Sequence, residues 1–228
     1  MAQDDAYLFA TMAACFSPSR ERWEETTSER VWPDFVENVR DLLRGSRLPG
    51  QENSPASRAG RALSLQEYLA DDEVSALFAP PSFEEAADFA ARRFAGGVPG
   101  AVVPVESLYV TWTSNPERGA FAGRTGLYLS DAALYMRDLI ESLGLSVPAS
   151  FSATPDHLTL ELEMMSFLLD AGKVQEAHEF LIERFAWLTT YRLKLVEAGR
   201  EAVFFLAIVD ALLGVRACVS EWYEGLKS

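Results

Sequence analysis

Apolar residues recur at three- and four-residue spacing along most of the chain, and no segment alternates convincingly as a half-buried strand does. The pattern predicts an all-α protein of roughly nine helices. Asp4 to Phe16 reads as a first helix stopped by Ser17-Pro18. "WPDFVENVRDLLRG" has Pro33 near its start and Gly45 just past its end, the asymmetry expected of helix termini. "SLQE" at Ser64 and "SFEE" at Ser82 are capping boxes, each opening a helix, with the turn "APPS" between them. Further helices are predicted from around Val105, at Ser130 to Leu143 with Gly144 as cap, at Pro155 to Ala171, at Lys173 to Glu197 and at Arg200 to Leu226.

Arg47 to Arg61 is rich in Gly, Pro, Ser and Asn and reads as a linker or mobile loop. "AGGVPGAVVP" is a second loop. It can act as a hinge dividing one domain, 1–228, into lobes 1–95 and 104–228. Its glycines do not match a phosphate-cradling loop, because no G-K-[ST] follows. No internal repeat of fixed period is evident.

One helix breaks its own pattern. In "TPDHLTLELEMMSFLLDAG", Thr154 is a sound N-cap, Pro155 suits the first helical position, and Gly172 closes the segment. At about 100° per residue, Asp156, Thr159, Glu163, Ser166 and Asp170 share a polar arc. His157 and Glu161 fall in the apolar arc, one turn apart. A buried carboxylate is costly unless paired, and side chains at i and i+4 can meet. A neighbouring glutamate favours charged histidine, and burial opposes it. Two readings stand: a satisfied pair inside the core, or a pair lining a groove whose apolar floor receives a ligand.

Composition narrows the partners. The 228 residues fit one domain or two small ones, and 49% are apolar, enough for a sizeable core. The net charge of −14 argues against nucleic acid or an anionic membrane as a general partner and suits a basic one. From Ala62 to Ala90 there is no Lys or Arg, while Glu67, Asp71, Asp72, Glu73, Glu84, Glu85 and Asp88 are acidic. That stretch is either a solvated acidic face or a landing surface for a basic peptide. The N-terminus carries acids where a secretory signal is basic, and "AVFFLAIVDALLGV" is too short for a membrane span and contains Asp210. A cytoplasmic setting is expected. Cys15 and Cys218 form no C-x-x-C, so neither a disulfide framework nor a zinc ribbon is indicated. With only two histidines and no Glu-x-x-His, neither a di-iron site nor any other metal or cofactor is expected. No G-x-S-x-G elbow is present, so no catalytic residue is nominated.

Several segments resemble one family. "PDHLTLELEMM" is similar to the signature of the TorD/DmsD/NarJ-type chaperones, close to P-D-H-L-x-x-E-L-E-F-M. "VPVESLYVTW" resembles the family's P-x-E-S-V-Y segment. "CFSPS" and, less faithfully, "FAARRFAGGVPG" resemble two further segments, in the expected order. There are departures: Arg93 stands in place of a leucine, Phe89 is displaced by one, Ile140 replaces an aromatic, Met164 replaces Phe, and Glu183 stands where a histidine is common.

The resemblance implies an all-helical cytoplasmic chaperone. Its partner would be the twin-arginine signal peptide, or the apo form, of a molybdopterin-dependent oxidoreductase. It would aid cofactor insertion and proofreading before export, as a monomer or a domain-swapped dimer. The peptide-binding residues implied are Asp156, His157 and Glu161, with Glu106, Tyr109 and Trp112 from the upstream segment and Phe94 from the third. Asp156 is expected at the rim of the groove. For Tyr109 and Trp112 the competing reading is core packing at i, i+3. The competing functions are a nucleotide-binding hydrolase, which no phosphate motif supports, and a purely structural helical subunit.

Overall fold

The computed structural model describes residues 2–17, 19–43 and 76–225. The Arg47 to Arg61 segment, the Ser64 capping box and the acids Glu67 to Glu73 lie outside the described residues. The helices are α1 (Ala2–Phe16), α2 (Arg20–Thr26), α3 (Trp32–Leu43), α4 (Phe83–Arg93), α5 (Asp131–Ser142), α6 (Leu158–Asp170), α7 (Val174–Arg184), α8 (Leu188–Ala198) and α9 (Val203–Gly225). Among the described residues there is no sheet, only one antiparallel bridge between Val105 and His157. The protein is all-α.

Local chemistry explains most boundaries. Ser82 accepts from the Glu85 amide at 3.3 Å, and the Glu85 carboxylate accepts from the Ser82 amide at 2.9 Å, so the "SFEE" box opens α4 as expected. In α3, Trp32, Phe35, Val36, Val39, Leu42 and Leu43 turn one face inward, and the Trp32 indole donates to the Phe78 carbonyl. Gly144 and Gly172 take left-handed φ values of 75° and 70° just past α5 and α6, which a side chain there would strain.

Three predicted elements differ. The helix expected around Val105 is only a three-residue 3-10 turn, Glu106–Leu108. The single helix expected from Lys173 to Glu197 is α7 and α8, broken at Phe185 to Trp187. No Gly or Pro marks the break. Phe185 and Trp187 are both buried, and the bend turns them inward. Finally, α6 begins at Leu158, three residues after Pro155.

Helix α1 lies along α6 in the most extensive helix pairing, and α9 packs on α8, α3 and α7. Leu8, Phe9, Met12, Leu162, Met165, Leu169, Phe205, Ile208 and Leu212 belong to one continuous core. That core draws on both sides of the "AGGVPG" loop. Arg92 and Arg93 of α4 also reach across to Glu201, and Arg93 donates to the Gly100 carbonyl at 3.1 Å. Arginine at the expected leucine position thus fastens the loop. In the acidic face, Glu84 meets Arg20 and Asp88 meets Arg92. The stretch 188–225 contains an 18-residue window apolar enough to cross a membrane by length and composition, longer than the oily run suggests. Of that window, 61% is buried inside the protein.

Candidate functional site

The two motif segments that lie about fifty residues apart in sequence meet in space. The backbone pairs first: the Glu106 amide donates to the Asp156 carbonyl at 3.1 Å, and the Leu158 amide donates to the Pro104 carbonyl at 2.9 Å. Side chains then lock the pair. Asp156 Oδ2 accepts from the Ser107 amide at 2.6 Å and from the Ser107 hydroxyl. Ser107 Oγ accepts in turn from the Ser130 amide at 3.1 Å, and Ser130 caps α5 through the Ala132 amide at 3.2 Å. One aspartate therefore fixes the 105–108 turn and, through it, the start of α5.

These contacts explain the late start of α6. Asp156 gives its carbonyl and its carboxylate to the facing segment, so it cannot enter the helix. His157 becomes the N-cap, its Nδ1 accepting from the Thr159 amide at 3.2 Å. Asp156 is fully buried and is not at a rim. The expected arcs also rotate: Thr159 is buried, whereas Phe167 is exposed.

His157 and Glu161 are both buried, as their place in the apolar arc implies. They do not satisfy one another. His157 packs on Phe151 at 5.0 Å between ring centroids, and burial lowers its pKa to about 4, so it is neutral near pH 7. Burial alone accounts for the shift. Glu161 Oε2 accepts from the Trp187 indole at 3.1 Å. Its carboxyl also lies within hydrogen-bond reach of Glu106.

Glu106 is 5% exposed and forms an ion pair with Arg184, the last residue of α7. Burial pushes the Glu106 pKa up to about 7, against the lowering effects of Arg184 and of the Glu161 hydrogen bond. For Glu161 burial is again the largest cause, and it raises the pKa well above the ordinary value, with the Glu106 charge adding to it. Arg184 stacks under Tyr135 of α5 at 5.0 Å. Tyr109 stacks on Trp187 at 5.4 Å and meets Tyr191 edge-on at 5.4 Å.

The structure thus brings together Glu106, Tyr109, Asp156, His157 and Glu161. Phe94 goes elsewhere, into a ring cluster with Phe16, Phe89 and Phe205. Trp112 lies further along the same segment, half-buried, its indole donating to the Tyr128 carbonyl at 3.1 Å and its ring edge-on to Phe121 at 6.1 Å. Phe121 and Tyr128, which meet it, are exposed, and so are Leu129 next to Tyr128 and Tyr135 on α5, all at 41–51%. Leu129 holds φ 56°, a left-handed backbone uncommon for leucine. Arg184, Trp187, Ser107 and Ser130 were not anticipated. The signal for a cation was present: a buried carboxylate requires one, and Arg184 adjoins the atypical Glu183. Among the described residues, no group of three or more His, Cys, Asp or Glu side chains is set to hold a metal ion.

The chain is all-helical, and its two motif segments are joined by buried polar contacts. The model of the family described as nitrate reductase delta subunit matches residues 52–195, more than half of the chain. The protein belongs to this family, of the TorD/DmsD/NarJ type, whose members are chaperones of molybdoenzyme maturation rather than enzymes. No curated protein matches the chain.

Proposed function

We propose that this protein is a cytoplasmic chaperone for a molybdopterin-dependent oxidoreductase, and that it binds the client's twin-arginine signal peptide and its apo form. The observation that carries this proposal is the set of large apolar side chains exposed along 112–135: Phe121 and Tyr128 against half-buried Trp112, with Leu129 and Tyr135 following. Soluble proteins seldom leave so many large apolar side chains together in water unless a partner covers them. The surface is fixed from behind by the Asp156–Ser107–Ser130 chain, so a ligand need not order it on binding.

The client's leader brings an apolar stretch and two arginines. The apolar stretch lies over the aromatic surface. Asp131, Tyr135 and Asp138, spaced i, i+4 and i+7, share the outer face of α5; the Asp131 carboxylate accepts from Thr113 and Asp138 pairs with Arg137, so the leader's arginines would share these acids with the partners they have. Exposed charge pairs contribute only about 0.2–1 kcal/mol each, so the apolar contact carries most of the affinity. Tyr109 and Trp112 are the motif's contacts with the peptide. Asp156, His157, Glu106 and Glu161 hold the segment that presents them, and Phe94 serves the separate aromatic core instead.

Isothermal titration calorimetry with a molybdoenzyme leader peptide tests the proposal. Phe121→Ala and Tyr135→Ala are expected to weaken binding by about tenfold each, with little change in melting temperature. Unchanged affinity in both variants, or no binding by the wild type, contradicts it.

A further inference from the structure

Three acids, Glu106, Asp156 and Glu161, meet a single guanidinium, Arg184, in the interior. Not every buried polar atom there is matched, and Arg184 Nε and the Tyr191 hydroxyl are themselves buried without a partner. Arg184 donates to Glu106, Ser107 donates twice to Asp156, and Trp187 donates to Glu161 Oε2. Glu161 Oε1 and Asp156 Oδ1 are both buried with no donor, and the Glu161 carboxyl lies within hydrogen-bond reach of another carboxyl, that of Glu106. Two carboxylates cannot hydrogen-bond, because neither has a hydrogen. A single proton resolves the geometry. Glu161, fully buried and without an ion pair of its own, is the member that keeps it. Glu106, paired with Arg184, is the member that accepts.

We infer that Glu106 and Glu161 share one proton, and that this carboxyl pair is a pH-sensitive latch joining the 105–108 turn to α6 and α8. The groups bearing on it are Arg184 of α7, Asp156 ahead of α6, and the phenols of Tyr109 and Tyr191 beside Trp187. None of the charges acting on Glu161 comes from α1, the other helix packed on α6. When the proton leaves for solvent, two buried like charges face each other and the turn is pushed from the helix.

The sign follows from proton counts. The folded protein holds a proton that the unfolded chain has released above about pH 4.5, so folding takes up protons and stability falls as pH rises. The loss extends past neutrality, since Glu106 titrates near 7 and Glu161 is raised well above its ordinary value. Nothing in the latch depends on a client, so it can fail or hold separately from the proposed function.

The test is a titration of the full chain from about pH 5 to about pH 9. Infrared difference spectra are expected to show a buried neutral carboxyl at neutral pH that disappears on the alkaline side. Melting temperature should fall over the same range, and amide exchange at 105–109 should rise. Glu161→Gln, whose amide still donates to Glu106 without titrating, is expected to shrink both the infrared band and the alkaline fall to what Glu106 alone contributes. Should that variant not fold, the wild-type spectra alone decide. The absence of a neutral carboxyl band at about pH 7 overturns the inference, as does an alkaline slope in Glu161→Gln equal to that of the wild type.

Discussion

The ring cluster around Phe205 and the acid cluster around Glu106 are both buried, and they work by opposite means. Phe205 stacks on Phe89 at 4.6 Å and touches Phe16 and Phe94 at 5.8 and 5.2 Å. These contacts are non-directional, and each ring contributes in proportion to the area it removes from water. At Glu106 the contacts are directional, and each polar atom needs its own partner. The first cluster supplies stability. The second adds little net stability but specifies one arrangement of the 105–131 segment, since any other leaves a buried charge unpaired. A protein that must offer a fixed surface to a partner needs both.

The comparison is broken most forcefully at its apolar end. Phe205→Ala is expected to cost about 4 kcal/mol, read as a lower urea midpoint with the 105–131 segment otherwise native. Arg184→Ala should cost about 3 kcal/mol near neutral pH and less at about pH 5, where Glu106 can take up a proton instead. A loss that does not change with pH would mean that the ion pair is not what balances the acids.

The acid limb belongs to His157. Its folded pKa is about 4 against an ordinary 6.5, so the unfolded chain binds protons first as pH falls, and stability is lost through that window. His157→Asn keeps an N-cap acceptor without the titration and should shrink the acid-side fall in melting temperature. The smallest effect tests a site remote from both clusters. Ser82→Ala removes one reciprocal bond at the start of α4 and should cost about 1 kcal/mol, with no change in either pH limb.

Much of the fold was legible because its signals are local. The capping box at Ser82, Pro33 near the start of α3, and Gly144 and Gly172 past two helix ends act within a few residues of themselves. The break between α7 and α8 was not legible, since the burial of Phe185 and Trp187 decides it. The site was legible in part. His157 and Glu161 stood out because they interrupt an apolar arc, and Glu106 and Asp156 through motif resemblance. Their partners were not visible, because Arg184 lies 78 residues from Glu106 and helical periodicity carries no information about which distant cation arrives. Asp156 was misplaced for the same reason. Its bond to Ser107 is tertiary, and it overrode a sound local N-cap signal at Thr154.

The central claim is that the client covers the aromatic surface held up by the acid cluster. Hydrogen–deuterium exchange of the full chain, with and without a molybdoenzyme leader peptide, tests it most directly. Added protection is expected across 109–135, where Trp112, Phe121, Tyr128 and Tyr135 lie. Protection confined to the exposed apolar residues Leu193, Val196 and Val203, with 109–135 unchanged, would contradict it.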